Sequence, residues 1–331
     1  MRAPGFWSNP PGAPGLVALL LTPLGWLWGM AGRLRRRLAR PVRAPVPVIC
    51  VGNLTAGGAG KTPTVIALLS ALSARGIAAH AVTRGHGGRE RGPHRVDPAR
   101  DDAARVGDEP LLLASWAPVW VARDRAAGAL AAARAGAAAA VLDDGHQNPS
   151  LVKDLSLVVV DAGAGFGNGR LIPAGPLRED VAGGLARADA VVLIGGDAEA
   201  QATLARWPLL GRLPVLRARL EPLATGLPLG GAAVVAFAGI GRPGKFFATL
   251  RGLGANLVAA HAFPDHAPYA PRVLRRMIAE ARAADAMLVT TEKDAVRLPP
   301  AFRAEVMALP VRLEFDDPDA LAALLGRVTG V

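Results

Sequence analysis

Short uninterrupted apolar runs recur along the chain, each followed by a polar or glycine-rich loop and then by a segment with helical spacing. Val46–Val51 is the first such run; the loop 52–61 and a helix near 62–75 follow it, and Ala78–Thr83 is the next run, so that together they predict a βαβ unit. Val119–Ala122, Ala138–Leu142, Leu155–Val160 and Ala190–Ile194 continue the series. Runs that are apolar at every position predict strands buried on both faces of a parallel sheet. The alanine-rich Arg125–Ala135 supplies a helix between two of them. Residues 45–213 are therefore expected to form one doubly wound, mostly parallel α/β domain.

The pattern then restarts. Leu213–Glu221 reads as an extended connector, and Ala232–Ala238 opens a second α/β series. It holds a strand–loop–helix at 234–252, a strand near Asn256–His261, a helix at 271–283 and the strand Ala286–Thr290. Val311–Phe315 is strand-like and is expected to pair with the connector, joining the two domains by a short ribbon. Residues 214–331 are read as a smaller C-terminal α/β domain.

Ahead of both domains an uncharged apolar stretch runs from Leu16 to Gly32, followed by Arg33, Arg35, Arg36, Arg37, Arg40 and Arg43. As a helix it would be about 25 Å long, slightly short of a hydrocarbon core of roughly 30 Å, with Pro23 expected to kink it. Trp7, Trp26 and Trp28 suit the headgroup boundary, and the arginines would face anionic lipid and keep the following domain cytoplasmic. A signal peptide would carry its positive charge before the apolar region. The alternative is a buried first helix of a soluble domain. Residues 1–44 are read as an arm that associates with a membrane surface, either lying on the bilayer or crossing it.

With 331 residues, 51% of them apolar, the chain can bury one large or two modest cores, which excludes disorder as its main state. Its surplus of basic over acidic residues gives a net charge of +11, which favours anionic partners. Nucleic acid is disfavoured among these, because the arm accounts for the basic cluster and aromatics are few outside it. The single cysteine, Cys50, excludes internal disulfides and cysteine-based zinc sites; flanked by Ile49 and Val51, it reads as a buried thiol in a reducing compartment.

The most informative segment is Thr55-Ala56-Gly57-Gly58-Ala59-Gly60-Lys61-Thr62. Glycines let successive backbone N–H groups turn inward around phosphate, Lys61 can reach the β- and γ-phosphates, and Thr62 can ligate Mg²⁺. The following helix adds its positive N-terminal end, and Pro63 fits its first turn. Thr55 replaces the usual first glycine, but the strand before and the helix after support a P-loop. Ala139–Asp144 is an apolar strand ending in two acids, Asp143 and Asp144, as a Walker B strand does. Other polar groups stand in loops after strands: Gly107-Asp108-Glu109-Pro110, Arg123, Gln147, Arg178 and Asp265-His266. Beside a nucleotide they can supply a base for an attacking hydroxyl and cations for transition-state charge. Thr291-Glu292-Lys293-Asp294 superficially suggests a guanine-selecting signature, but its lysine and aspartate are adjacent, and a helix N-cap explains it simply.

In their shared order these motifs resemble the tetraacyldisaccharide 4′-kinases of lipid A synthesis. The resemblance spans nearly the whole chain: Ala3–Trp7, the apolar arm with its basic run, Val51–Pro63, Gly107–Pro110, Asp143–Gln147, Phe166–Gly169, Pro173–Glu179, Ala238–Gly241, Phe263–His266 and Thr291–Asp294. It implies a lipid kinase that moves the ATP γ-phosphate to the 4′-hydroxyl of an acylated glucosamine disaccharide 1-phosphate, making lipid IVA at the cytoplasmic face of a bacterial inner membrane. It also implies Asp108 as base on the sugar hydroxyl, with His266 its partner across a domain cleft, the two expected to meet only when substrates close the domains. Lys61, Thr62, Asp143 and Asp144 would handle phosphate and Mg²⁺. Arg123, Gln147 and Arg178 would stabilise substrate or transferring phosphate, and Glu109 is grouped with Gln147 on the substrate side. The family commonly has a second histidine where this chain has Ala267, and often an apolar residue in place of His146. The rival reading is a P-loop GTPase or ATPase switch of the metallochaperone or partitioning type, which needs neither lipid acceptor nor arm.

Overall fold

The computed structural model describes residues 3–223 and 229–330. A long helix α1 (Leu16–Leu38) precedes β1 (Val48–Gly52), α2 (Lys61–Ser73), β2 (Ala79–Thr83) and β3 (His94–Arg95). Two short helices, α3 (Ala103–Val106) and α4 (Asp108–Leu113), lead into β4 (Val119–Val121), α5 (Arg125–Arg134), β5 (Ala139–Asp143) and β6 (Leu155–Asp161). Next come α6 (Val181–Leu185), β7 (Ala190–Ile194), α7 (Asp197–Arg206) and β8 (Val215–Pro222). The second series is β9 (Ala233–Ala238), α8 (Pro243–Gly252), β10 (Asn256–Ala262), α9 (Pro271–Ala283), β11 (Met287–Thr291), α10 (Glu292–Ala295) and β12 (Met307–Leu309). The chain closes with β13 (Val311–Phe315) and α11 (Pro318–Thr329).

The strands form a nine-stranded sheet, ordered β13-β8-β7-β6-β1-β5-β2-β4-β3, and a four-stranded sheet, ordered β10-β9-β11-β12. The large sheet is parallel except at its two edges, where β3 and β13 run antiparallel. Outward from β1 stand β5, β2 and β4 on one side, the chain running to β2 and β4 before returning to β5, and then β6, β7 and β8 in sequence on the other. The C-terminal end of β1 is thus the switch point where open α/β sheets place their ligand crevice.

Burial follows the apolar runs. Val65, Leu68 and Leu72 of α2 pack with Val51, Val141 and Val159 on one face of the sheet. Leu54, Val160, Phe166 and Leu210 fill part of the other. In the smaller sheet Val234 and Ala236 meet Phe246 and Leu250 of α8, while Val235 and Phe237 meet Leu274 and Met277 of α9.

Three features depart from the sequence reading. Residues 311–329 lie with the large sheet: β13 pairs with β8 in the register Val311 to Pro222 through Phe315 to Ala218, and Leu321, Leu324 and Leu325 of α11 enter the core beside α2. Asp108 and Glu109, expected in a loop, open helix α4. The arm helix does not stop at Gly32 but continues through the arginines to Leu38, so its 23 residues span about 34 Å.

Helix α1 is the one described helix long and apolar enough to cross a membrane by length and composition. It nevertheless lies against the large domain. Trp7 donates its indole N–H to Pro173 O at 3.0 Å, and Arg170 donates to the Thr22 hydroxyl at 2.9 Å. Gly25 and Gly29 face Leu171 so closely that a β-carbon at Gly29 would meet Leu171 Cδ1 at 2.7 Å. The other side of the helix leaves Leu16, Leu20, Leu24, Leu27 and Met30 exposed, Leu20 to 71%.

Candidate active site

The loop leaving β1 carries Thr55–Gly60 and delivers Lys61 and Thr62 at the first turn of α2. Its base is pinned: Ala56 donates its N–H to Pro176 O at 2.7 Å, and the Asn53 amide donates to Thr55 Oγ1 and Gly57 O at 3.3 and 3.4 Å. Gly57 and Gly60 have φ of 111° and 93°, a left-handed backbone that glycine adopts without strain. Beyond a β-carbon at Gly57 or Gly58 there is open space, as a phosphate cradle requires. Thr62 is buried, and Ala59 packs inward.

Lys61 donates to Asn53 Oδ1 at 3.3 Å and lies 3.7 Å from Asp144 Oδ1. Arg178 donates to both Asp144 oxygens at 2.9 Å. Burial opposes ionisation of Asp144, but Lys61 and Arg178 overcome it and hold its pKa below the ordinary carboxylate value. Asp143 behaves oppositely: it is buried at the end of β5, and neither carboxylate oxygen has a hydrogen-bond partner. Burial first, and then the charge of Glu109, push its pKa up to about 7. Two orphaned oxygens beside the phosphate loop fit a divalent cation, whereas Asp144 would have to exchange Arg178 to serve as a ligand. Among the described residues no group of three or more His, Cys, Asp or Glu side chains is arranged to hold a metal. A cation here would draw further ligands from phosphate oxygens, from Thr62 and from water.

The second focus joins the two sheets. Asp108, at the start of α4 and buried, receives His266 Nδ1 at 3.0 and 2.9 Å on its two oxygens. The contact spans the two domains. Its supports are visible: Arg242 and Lys245 of the smaller domain reach Asp161 at 3.1 and 3.0 Å, and Gly241 lies against Gly58, whose N is 3.6 Å from where a Gly241 β-carbon would sit. Lys293 Nζ is 3.2 Å from His266 Nε2, 3.3 Å from Glu109 Oε1 and 3.6 Å from Asp265 Oδ1. An ammonium donating to Nε2 places the imidazole proton on Nδ1, directed at Asp108. Burial disfavours the Asp108 anion, yet the His266 hydrogen bond and the Lys293 charge outweigh it and lower its pKa. Lys293 is itself held in the charged form: burial works against it, but Glu109, Asp108 and Asp265 raise its pKa.

Of the expected residues, Lys61, Thr62, Asp143, Asp144 and Arg178 converge on the phosphate loop, and Asp108, Glu109 and His266 on the interdomain cluster. Gln147 donates its amide to Asn53 O at 2.8 Å and Glu179 Oε1 at 3.1 Å, which braces the loop, and its Oε1 lies 3.4 Å from Arg178 Nη1. Arg123 is exposed just after β4, and its side chain has no hydrogen-bond partner among the described residues. The sequence reading missed Lys293, which it explained by the Thr291 N-cap; that cap is real, Thr291 Oγ1 accepting from Asp294 N at 3.1 Å, but it also aims Lys293 at His266. It also missed Asn53 and the buried Arg125, whose guanidinium donates to Ala122 O at 2.7 Å near Asp143 and Asp144. Arg125 gave no signal beyond an arginine following a helix-capping aspartate.

This geometry can bind a triphosphate, place a cation at Asp143 and remove a proton at Asp108. The family model described as tetraacyldisaccharide-1-P 4′-kinase matches residues 17–329. A tetraacyldisaccharide 4′-kinase of Rhodospirillum centenum is 60% identical over 327 residues, covering 98% of this chain and 96% of its own. That of Dinoroseobacter shibae is 60% identical over 328 residues, covering 98% and 97%. A crystal structure of LpxK from Aquifex aeolicus, described as a complex with ATP, superposes with a TM-score of 0.76 at 26% identity and covers 95% of this chain and all of that one.

Proposed function

The chain belongs to the tetraacyldisaccharide-1-P 4′-kinase family, and on that premise we propose that it transfers the ATP γ-phosphate to the 4′-hydroxyl of tetraacyldisaccharide 1-phosphate, with Asp108 as base. It is a lipid kinase of lipid A biosynthesis, and the switch reading gives way to that.

The observation that carries the site assignment is the Asp108–His266 contact at 2.9 Å beside a phosphate loop. Asp108 accepts the proton of the 4′-hydroxyl as its oxygen bonds to the γ-phosphorus and the bond from that phosphorus to the β-phosphate oxygen breaks, leaving ADP. His266 orients the carboxylate and, through Lys293, keeps it ionised between turnovers. Lys61 meets the β- and γ-oxygens, and the N–H groups of 57–62 line the cradle. Arg178 and Arg123 stand as candidates for charge on the transferring group. Mg²⁺, when bound with the nucleotide, would be held by Asp143 and Thr62 and would neutralise charge on the phosphates.

The arm supports membrane seating: α1 offers an apolar outer face, with exposed Arg37 in its last turn and exposed Arg40 just beyond it. Its inner face is docked on the domain, which favours lying at the cytoplasmic interface over crossing the bilayer. The test is incubation of the purified protein with ATP, Mg²⁺ and tetraacyldisaccharide 1-phosphate. Appearance of a bisphosphorylated lipid is expected; hydrolysis of nucleotide with no lipid product would overturn the assignment.

A further inference from the structure

The last three turns of helix α1 are wired to the residues around the phosphate loop. The Trp28 indole N–H donates to Arg178 O at 2.9 Å, and Arg178 is the side chain that clamps Asp144. Arg35 donates to Gln147 O at 2.9 Å, while Arg36 pairs with Glu179 at 3.2 Å. Glu179 is nearly fully buried, and its Oε1 accepts from the Gln147 amide. Gln147 in turn donates to Asn53 O, and Asn53 Oδ1 accepts from Lys61 Nζ at 3.3 Å. A continuous polar chain therefore runs Arg36, Glu179, Gln147, Asn53, Lys61, and a second path runs Trp28, Arg178, Asp144.

We propose that Trp28, Arg35 and Arg36 are positioning residues for phosphoryl transfer, so that the seating of α1 on the domain sets the phosphate-loop lysine and the Arg178–Asp144 pair. The helix then has two faces with two tasks. The outer apolar face meets the membrane, and the inner face completes the catalytic scaffold. A lipid anchor alone would need no hydrogen bonds to Arg178 O and Gln147 O; a flexible tether before residue 45 would serve. Here the contacts fall on the two loops that carry Arg178 and Gln147, whose neighbours in space are Asp144 and Asn53. Arg36 is moreover not the sole partner of Glu179, because Arg187 donates to both Glu179 oxygens at 2.8 and 2.7 Å. Removing Arg36 leaves no unpaired buried charge, so the fold should survive and the positional effect can be read by itself.

This inference rests on the kinase reading, and its test separates the two. The full chain and its Arg36→Gln, Arg36→Lys, Trp28→Phe, Glu179→Gln and Arg36→Gln/Glu179→Gln variants are assayed with lipid acceptor in detergent micelles. The same proteins are floated with vesicles of mixed phosphatidylethanolamine and phosphatidylglycerol, and their affinity for a fluorescent ATP analogue is measured. Misplacing a phosphate-handling group by a fraction of an ångström predicts a kcat lowered about tenfold in Arg36→Gln and Trp28→Phe, with flotation and acceptor KM unchanged. Arg36→Lys should recover part of the loss, and the double variant should be no worse than Glu179→Gln alone. Wild-type kcat in both Arg36→Gln and Trp28→Phe, or a loss confined to flotation and acceptor KM, would make α1 an anchor only and overturn the inference. If the wild-type chain phosphorylates no lipid, the kinase reading falls instead. Nucleotide affinity then decides, an Arg36→Gln value equal to wild type refuting the coupling and a weakened one supporting it.

Discussion

Asp108 and His266 stand 158 residues apart in sequence, on different sheets, and meet at 2.9 Å. The carboxylate is buried and the imidazole is fixed on its far side by Lys293. If Asp108 is the base, Asp108→Asn should lower kcat by about 10²–10⁴-fold with little change in ATP affinity. His266→Ala should cost less, because the carboxylate remains, and the double variant should be no slower than Asp108→Asn. Steady-state kinetics on the three proteins check this; additive losses would mean that the two residues act separately.

Lys293 places its positive charge among Asp108, Glu109 and Asp265. Lys293→Met keeps the stem but removes the charge, so Asp108 should titrate at higher pH than in the wild type. The sign is definite: a carboxylate with a depressed folded pKa contributes stability that is present above its unfolded value near 3.8 and lost as pH falls through the folded value. The variant's acid limb should therefore begin at a higher pH than that of the wild type, and kcat/KM measured from about pH 3 to 8 reads the displacement. Superimposable profiles would remove Lys293 from the dyad.

Cys50 lies inside β1, fully buried among Val48, Ile49 and Val51, and burial pushes its thiol up to about 11. At pH 8 the native thiolate is then about one part in a thousand, and the native protein should resist iodoacetamide while the protein in guanidinium labels fully. Because the folded pKa is raised above the unfolded value of 9.0, its contribution to stability is intact below pH 9 and fades toward 11. Mass spectrometry after timed labelling checks the first point. Rapid native labelling would mean that β1 opens far more often than its place at the centre of the sheet allows.

What the sequence disclosed was local. The strand, loop and helix at 48–73 were readable because an all-apolar run, glycines with a free backbone, and Gly60-Lys61-Thr62 all specify the same turn. The pairing of Val311–Phe315 with the connector was readable for a similar reason, since both are short extended runs with few other partners. Long-range docking was not. That α11 returns to cover α2 depends on where β13 delivers it, and a helix of this amphipathic kind fits either domain. The Asp108–His266 pair was nameable from motifs, but the docking of the two domains that brings it together, with Asp161 meeting Arg242 and Lys245, is encoded by no local pattern. Gln147 and Lys293 both make contacts that no local pattern announces. A polar residue after a strand looks like a ligand contact whether it faces the crevice or braces the loop behind it, and a capped lysine looks structural until its far end is located.

Asp143 gives the sharpest prediction about the metal. Its two oxygens are buried without partners, and in the absence of a cation burial raises its pKa to about 7. In that state the native protein holds a proton that the unfolded chain releases near pH 4, so this group makes the metal-free protein less stable as pH rises from about 4 to 7. A divalent cation reverses the preference by stabilising the anion, and its binding must expel the proton. Titrating preformed Mg·ADP into the protein near pH 7, in buffers of different ionisation enthalpy, should therefore show release of a fraction of a proton per site. Asp143→Asn should abolish that release, lower kcat by about 10²-fold or more and raise the Mg²⁺ concentration needed for half-maximal rate. Chelation of Mg²⁺ should stop the wild-type reaction altogether. If Asp143→Asn keeps both the proton release and the wild-type Mg²⁺ dependence, the cation is held elsewhere, and Asp144 would have to surrender Arg178 to hold it.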